Sequence, residues 1–204
     1  MATQLITPVL PIAHHEDLWP AQGQWTYEDY LRLPDDGRRY EIIEGVLYVA
    51  GPSSFQHQFV VAELILHLHK LIADQKAGIL LTGPFEVHLP GIAWPVQPDI
   101  LFIPTERVPR SNAQFFTGAP DLIVEVLSPS SVRLDQVIKF GAYERAGVRE
   151  YWIANPKTRT VTVFMLPAGG QEYVLLGQFG PGESLRSAVL PELEIATDSL
   201  FMPT

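Results

Sequence analysis

The stretch DLIVEVL, residues 121–127, decides the fold, because its apolar side chains follow one another without the polar alternation of a half-exposed strand. The stretch VQPDILFI, residues 96–103, has the same character. Apolar runs of this length are typical of strands that are covered on both faces. We therefore predict that these two stretches are the central strands of a sheet flanked by helices.

Helical and strand-like patterns alternate along the rest of the chain. Thr26 is placed to cap a short helix, and Tyr40–Ala50 is typical of a strand with a bend or tight turn at its glycine. Apolar residues at helical spacing predict one long helix from a Ser53 or Ser54 cap to about Ala73, and another over Ser131–Ala146. Shorter strand-like runs lie at Ile79–Leu81, Phe85–Leu89, Arg149–Ala154, Thr160–Leu166 and Glu172–Leu176. This order predicts a mixed α/β domain with additional β-hairpins.

Composition favours one folded domain outside the membrane. Of the 204 residues, 47% are hydrophobic and 18% are charged, which suits a single core over residues 23–204 after an arm over residues 1–22. No apolar run approaches the ~20 residues that cross a bilayer, and the first residues lack the pattern of a secretory signal. The absence of cysteine excludes disulfides and thiolate metal sites. We expect a cytoplasmic protein that does not bind membranes.

The charge of the chain is uneven. A formal net charge of −9 argues against binding a polyanion such as nucleic acid. Residues 130–160, however, contain six basic and three acidic residues. This stretch is a candidate surface for a nucleic-acid backbone, and a solvated face explains it equally well.

Two carboxylates interrupt the apolar strands. Glu125 lies within a stretch that is otherwise buried, where an unpaired charge costs several kcal/mol, and Asp99 follows Pro98 at the start of the other stretch. If the two strands pair, both carboxylates can reach one cation. Hard oxygen ligands suit Mg²⁺ or Mn²⁺, although an arginine or a helix N-terminus could satisfy each carboxylate instead.

Three further residues stand near these strands. Lys139 follows the Glu125 strand on the next helix and shares a face with Asp135 and Tyr143, so it could lie over the strand end or form an exposed ion pair. His57 begins the long helix. Glu41 and Glu44 point to opposite faces of their strand, so we expect only one of them to enter a site.

These residues resemble the Uma2 family of restriction-endonuclease-like proteins over roughly residues 25–190. The motifs that carry the resemblance are RYEIIEG at 39–45, His57, QPD at 97–99, GAPDLIVEVLSPS at 118–130, Lys139, Tyr143 and GVREYW at 147–152. The family is similar to the PD-(D/E)XK nuclease superfamily. That similarity implies a restriction-endonuclease-like core, in which a central mixed sheet carries metal-binding acidic residues on neighbouring strands.

The resemblance also implies roles for individual residues. Asp99 and Glu125 would be the metal ligands, and Leu127 stands where the superfamily motif has a lysine. Lys139 on the following helix would replace that lysine. Glu41 and His57 match the glutamate and the histidine that the family carries at these places.

We therefore expect a Mg²⁺-dependent endonuclease that hydrolyses phosphodiester bonds of DNA, with Mn²⁺ as a possible substitute. Asp99 and Glu125 would hold the metal, Lys139 would assist the attacking water, Glu41 would support metal or water, and His57 would act as an acid/base or contact phosphate.

Two other functions and one assembly remain open at this point. A nuclease-like module could bind a protein partner through Phe115 and Phe116 in the long loop Pro104–Pro120. A metal-dependent hydrolase of a small phosphorylated substrate would suit the acidic composition. A strand such as Val161–Leu166 could also pair across a homodimer.

Overall fold

Thirteen strands and three α-helices form a mixed α/β fold in the structure, a computed structural model that describes residues 19–202. The mixed class predicted from the sequence is confirmed. Most of the predicted arm, residues 1–18, lies outside the described residues. Trp19 stacks on Trp25 with ring centroids 5.5 Å apart, so the described part contacts the domain from its first residue.

The strands divide into two sheets and a short pair, and each sheet contains a single parallel pairing. The six-stranded sheet has the order β11-β10-β9-β8-β6-β3, and the five-stranded sheet has the order β2-β1-β5-β4-β7. The parallel pairs are β8 with β9 and β4 with β7. In chain order the strands are β1 Arg39–Ile43, β2 Val46–Ala50, β3 Gly78–Thr82, β4 Glu86–Leu89, β5 Ala93–Val96, β6 Ile100–Pro104, β7 Phe115–Thr117, β8 Leu122–Val126, β9 Glu150–Asn155, β10 Thr160–Met165, β11 Val174–Phe179, β12 Ser184–Leu185 and β13 Ile195–Ala196.

The helices begin where the sequence offers caps. Helix α1 (Tyr27–Tyr30) has a capping box between Thr26 and Asp29, and the Ser54 side chain caps α2 (Phe55–Gln75). A π-helical segment, Leu134–Lys139, leads into α3 (Phe140–Ala146). Short 3-10 turns lie at Thr105–Arg107 and Thr197–Leu200. Within residues 19–202, no helix has the length and apolar character that crossing a membrane requires.

The layers follow from the alternation of side chains along β6 and β8. Val124 and its apolar neighbours on the same face pack against α2, which contributes Leu64 and Leu68. The opposite face of the six-stranded sheet, including Leu101 and Ile123, packs against the five-stranded sheet and α3. Glu125 alternates with Val124 and therefore points into the layer between the two sheets.

The predicted strand 96–103 is divided between the two sheets. Val96 ends β5 in the five-stranded sheet, and Ile100 begins β6 in the six-stranded sheet. Pro98 cannot donate to a strand ladder, so pairing stops between the two strands. The residues Gln97–Asp99 thus form the crossing between the sheets.

The long loop Pro104–Pro120 contains a strand that the sequence did not predict. β7 pairs in parallel with β4, placing Phe116 opposite Val87. Phe116 is buried in the core and only Phe115 is exposed. The expectation of two exposed phenylalanines as a protein-binding anchor is therefore wrong.

The helix predicted over Ser131–Ala146 has a different apolar face from the one expected. Val132 and Val137 are two of the apolar residues whose helical spacing predicts this helix, and both are exposed. The π-helical turn takes in more residues than an α-helical turn, which shifts the faces around the axis. The buried side chains of the π-helical segment are Leu134, Asp135 and Lys139.

The edges of the six-stranded sheet also differ from the expectation. β10, the strand proposed for pairing across a homodimer, lies between β9 and β11 and has no free edge. A homodimer through that strand is therefore excluded, while a dimer through another surface stays a prediction.

His88 belongs to the strand-like run Phe85–Leu89, where a histidine is expected to be partly exposed, but the structure buries it fully. Phe115 stacks on its ring at 4.0 Å, and Tyr27 and Trp94 contact it from two other elements. Nε2 lies 3.0 Å from Glu86 Oε2, and Trp94 Nε1 donates to Nδ1. A neutral imidazole satisfies both contacts, and burial lowers the pKa of His88 although Glu86 opposes the shift.

This burial predicts a pH dependence of stability. Below about pH 6.5 the unfolded histidine takes up a proton that the folded protein resists, so the free energy of unfolding falls as the pH falls. We expect the wild type to lose more stability between pH 7 and pH 5 than His88→Gln, measured by urea denaturation. Parallel pH profiles for the two proteins would contradict this account.

Candidate functional site

Four acidic side chains from four separate segments meet between the two sheets. Glu41 comes from β1, Glu125 from β8, Asp135 from the π-helical segment, and Asp99 from the crossing between β5 and β6. All four are buried. Only Glu41 of the two β1 candidates enters the site, because its side chain lies on the inner face whereas Glu44 lies beyond the strand, in the exposed turn, and pairs with Arg145.

Lys139 lies at the centre of these carboxylates. Its Nζ is 2.9 Å from Glu125 Oε1, 3.0 Å from Glu41 Oε1 and 3.9 Å from Asp135 Oδ1. The Lys139–Asp135 ion pair considered from the sequence is present, but it is buried instead of exposed. Lys139 also links a carboxylate of the five-stranded sheet to one of the six-stranded sheet.

Asp99 and Glu125 lie next to each other because β6 and β8 are neighbours. The Asp99 amide lies 3.4 Å from Glu125 Oε2, and the Val126 amide donates to Asp99 Oδ2 at 2.9 Å. His57 Nε2 lies 3.0 Å from the same Oδ2 atom. The pairing of β6 with β8 thus places the two carboxylates side by side, while their shared cation stays a prediction.

Tyr143 and Gln97 complete the contacts of the glutamates. The Tyr143 hydroxyl donates to Glu125 Oε1 at 2.8 Å, and the backbone N–H of Gln97 donates to Glu41 Oε1 at 2.6 Å. Glu125 Oε1 therefore accepts from both Lys139 and Tyr143. Its Oε2 has only the long contact to the Asp99 amide among residues 19–202.

The protonation of the cluster reflects burial and mutual repulsion. Burial raises the pKa of Glu125, and Asp135, Asp99 and Glu41 add to that shift while Lys139 opposes it. Burial also raises the pKa of Asp135, to about 6. For Lys139 burial would lower the pKa, but Glu125, Glu41 and Asp135 outweigh it and raise the pKa. Lys139 is therefore an ammonium at neutral pH and cannot serve as a base.

Asp99 differs from Glu125 in its balance of contacts. Burial would raise its pKa, but the hydrogen bonds from His57 and from the Val126 amide lower it. Its other oxygen, Oδ1, lies 3.6 Å from Arg39 Nη1. Asp99 therefore carries its negative charge at neutral pH.

His57 is fixed at the start of α2. With the carboxylate of Asp99 as acceptor, Nε2 carries the proton and Nδ1 is an acceptor. Nδ1 is buried and has no hydrogen-bond partner in the described part of the chain. His57 therefore has one nitrogen free to take up a proton.

The donor set fits Mg²⁺ or Mn²⁺ on chemical grounds. Within residues 19–202, no three His, Asp or Glu side chains form a ready-made metal site. Mg²⁺, however, binds proteins through one or two carboxylates and completes its shell with water. On these two neighbouring carboxylates, the less engaged oxygens are Asp99 Oδ1, 3.6 Å from Arg39 Nη1, and Glu125 Oε2, 3.4 Å from the Asp99 amide. The cluster also holds more negative than positive groups, an imbalance that a divalent cation would offset.

Two connected cavities give access to the cluster. A groove of about 950 Å³ is lined by residues that include Arg39, Tyr48, His57, Asp99 and Arg133. A narrower recess of about 90 Å³ shares Arg39, His57 and Asp99 with the groove and also contacts Glu125 and Lys139. The carboxylates therefore line a recess continuous with a larger opening.

The basic stretch 130–160 is not assembled into one positive surface. Arg145, Arg149 and Arg159 pair with Glu44, Asp121 and Asp198, respectively, and Lys139 is buried. Arg133 lines the groove and has no carboxylate within ion-pair distance among the described residues. Most of this stretch is thus not a free surface for a nucleic-acid backbone.

Sequence reasoning placed Glu41, His57, Asp99, Glu125 and Lys139 in the site, and the structure brings all five together. It did not select Arg39 or Tyr143. Strand alternation could have indicated Arg39, which precedes Glu41 by two residues and therefore shares its face. The i, i+4 spacing from Lys139 already placed Tyr143 on the helix face that the structure turns toward Glu125.

A family model described as "Uma2: Putative restriction endonuclease" matches residues 27–198. The chain belongs to the Uma2 family. The match covers every strand and α-helix named above, as well as all five predicted site residues.

The Uma2 chain is also similar to a solved structure, the "crystal structure of a putative nuclease belonging to DUF820" from Anabaena variabilis ATCC 29413. The two are 21% identical, and the match covers 86% of this chain and 96% of the other with a TM-score of 0.72. At this identity the similarity shows a shared fold. A comparison with curated proteins gives no match for this Uma2 chain.

Proposed function

We propose that the protein is a Mg²⁺-dependent endonuclease that hydrolyses phosphodiester bonds of DNA in the recess between the two sheets. The observation that carries the proposal is the meeting of Asp99, directly before β6, with Glu125 on the neighbouring β8 and Lys139 from the following helical segment. Membership of the Uma2 family supports a nuclease-like activity.

Asp99 and Glu125 would hold the cation through the oxygen atoms that the protein leaves least engaged. When bound, the cation would offset the negative charge that builds on the phosphate during attack by water. Lys139 would keep Glu41 and Glu125 together and add a permanent positive charge near the phosphate. Arg39, at the mouth of the recess, is placed to contact a phosphate oxygen.

His57 would act on a proton rather than on the cation. Its Nε2 is held by Asp99 and its Nδ1 is free to accept a proton from the attacking water. The water adds to phosphorus as its proton passes to Nδ1, the bond from phosphorus to one ester oxygen breaks, and that oxygen takes up a proton from bulk water. This assignment makes Asp99 a positioning residue for His57 as well as a ligand.

A cleavage assay tests the proposal. We expect supercoiled plasmid to be nicked with Mg²⁺ or Mn²⁺ and not with excess EDTA, and Asp99→Asn and Glu125→Gln to lower the rate at least about 100-fold. The isosteric changes remove charge and keep side-chain volume, and thermal melting checks that both variants fold. Glu194→Gln, an exposed carboxylate change, should cleave like the wild type.

Cleavage that survives Asp99→Asn or EDTA would contradict the proposal. The second candidate function is hydrolysis of a small phosphorylated substrate, which the net charge of −9 favours over a polyanion. The same assay therefore includes a small diester, bis(4-nitrophenyl) phosphate. Hydrolysis of the small diester without any cleavage of DNA would support the small-substrate hydrolase and contradict the endonuclease.

A further inference from the structure

The groove that leads to the recess differs in character from a surface for duplex DNA. Its walls are mainly apolar, with Val46, Ala50, Val61 and Pro84 among the lining residues. A duplex presents phosphates outward and hides its bases, so an apolar wall gains little from it. An unpaired strand presents the faces of its bases, which such walls can cover.

Tyr48 places an aromatic ring at the recess. It lies directly opposite Glu41 in the register of β1 and β2, so the two side chains share one face of the hairpin. Tyr48 lines both the groove and the recess and is half-buried. A base that stacks on this ring would lie close to the carboxylates.

Two arginines line the same groove. Arg39 contacts Asp99 Oδ1 at 3.6 Å, and the exposed Arg133 has no carboxylate partner in the part of the chain that the structure describes. The positive charge of Arg133 opposes the rise in the pKa of Tyr48 that burial causes, so the two groups are neighbours. An aromatic face beside guanidinium groups matches a base with its phosphates.

Phe55 adds an aromatic ring beside the groove. It occupies the first turn of α2 between Ser53 and His57, both of which line the groove, and 72% of it is exposed. Beside the groove, this exposed ring offers a second face on which an unpaired base can stack.

Resting on the proposed function, we infer that the groove binds single-stranded DNA in preference to duplex DNA, with one base stacked on Tyr48 and phosphates held by Arg39 and Arg133. The recess then receives the scissile phosphate of an unpaired strand. The formal net charge of −9 disfavours the long backbone contacts of a duplex and leaves this local site as the place of contact.

Fluorescence anisotropy in excess EDTA tests this inference, because binding is then measured without cleavage. A labelled oligothymidine and a labelled duplex of equal length serve as probes. We expect the wild type to bind the single strand at least about tenfold more tightly than the duplex. Equal affinity, a preference for the duplex, or no binding to either probe would overturn the inference.

Variants separate stacking from charge. Tyr48→Ala should weaken binding of the single strand about tenfold, whereas Tyr48→Phe, which keeps the ring, should stay within about twofold of the wild type. Arg133→Gln should weaken binding and reduce its salt dependence, while Arg186→Gln, an exposed arginine outside the groove, is the matched control. Unchanged binding by both Tyr48→Ala and Arg133→Gln would also overturn the inference.

The outcome is distinguishable from that of the proposed function. Preferential single-strand binding without metal-dependent cleavage supports the groove assignment and contradicts the nuclease. Metal-dependent cleavage of duplex DNA with no single-strand preference supports the nuclease and contradicts the groove assignment.

Discussion

Lys139→Met is expected to lower the free energy of unfolding by about 3–5 kcal/mol at pH 8. The substitution keeps an unbranched side chain of similar length and removes the cation that contacts Glu41 and Glu125 in a buried recess. Two carboxylates then lack their partner, and repulsion among them is no longer offset. Urea denaturation followed by circular dichroism measures the change.

The same variant carries a pH signature. Because the pKa values of Glu125 and Asp135 are raised, both groups can take up protons near pH 5, which relieves their repulsion. The loss caused by Lys139→Met should therefore be smaller at pH 5 than at pH 8. Lys70→Met, which removes an exposed lysine paired with Asp74, should leave stability unchanged at both pH values. If Lys139→Met changed the free energy of unfolding at pH 8 as little as Lys70→Met does, the buried ion-pair account would be contradicted.

Glu150→Ala is expected to lower the free energy of unfolding by about 3–5 kcal/mol. The Glu150 side chain is fully buried and accepts three hydrogen bonds, from Trp152 Nε1 at 2.6 Å and from the amides of Ala188 and Val189 at 2.7 and 2.9 Å. Alanine leaves these donors buried and unsatisfied. Because two of the donors belong to the C-terminal segment, hydrogen exchange over residues 184–200 should accelerate.

Two controls accompany this prediction. Glu150→Gln keeps one acceptor oxygen and should lose less stability than Glu150→Ala. Glu194→Ala removes an exposed carboxylate in the same segment and should have no measurable effect. Unaltered exchange over residues 184–200 in Glu150→Ala would show that the carboxylate does not hold the segment.

Local patterns predicted the class of the fold and its helix starts, because these depend on residues close in sequence. The Thr26 and Ser54 caps and the apolar runs around residues 100 and 124 carry their own signals. Which sheet a strand joins depends instead on distant partners. The split at Pro98 and the parallel pairing of β7 with β4 were therefore not predicted.

For the site, as for the fold, the sequence indicated the features that depend on neighbouring residues and not those that depend on distant segments. A carboxylate in an apolar strand indicates an unusual environment wherever its partner lies, so Glu125 and Asp99 stand out in the sequence. The burial of Lys139 depends on a π-helical turn, which a 3.6-residue period does not anticipate. The burial of His88 depends on rings from three other segments, Tyr27, Trp94 and Phe115.

The chain passes from one sheet to the other at Gln97–Asp99, beside the acidic groups. The distance between Glu41 and Glu125 therefore depends on how far apart the two sheets pack. Glu41 moves with one sheet and Glu125 with the other, while Lys139 spans the gap. Exchanging Val87 or Leu101 in the shared apolar layer for a bulkier or smaller residue would alter that gap from a distance. Substitutions at core positions can thus change the distance between the acidic groups without touching the recess. A chimera that takes one sheet from a relative would have to keep the same distance between the two sheets.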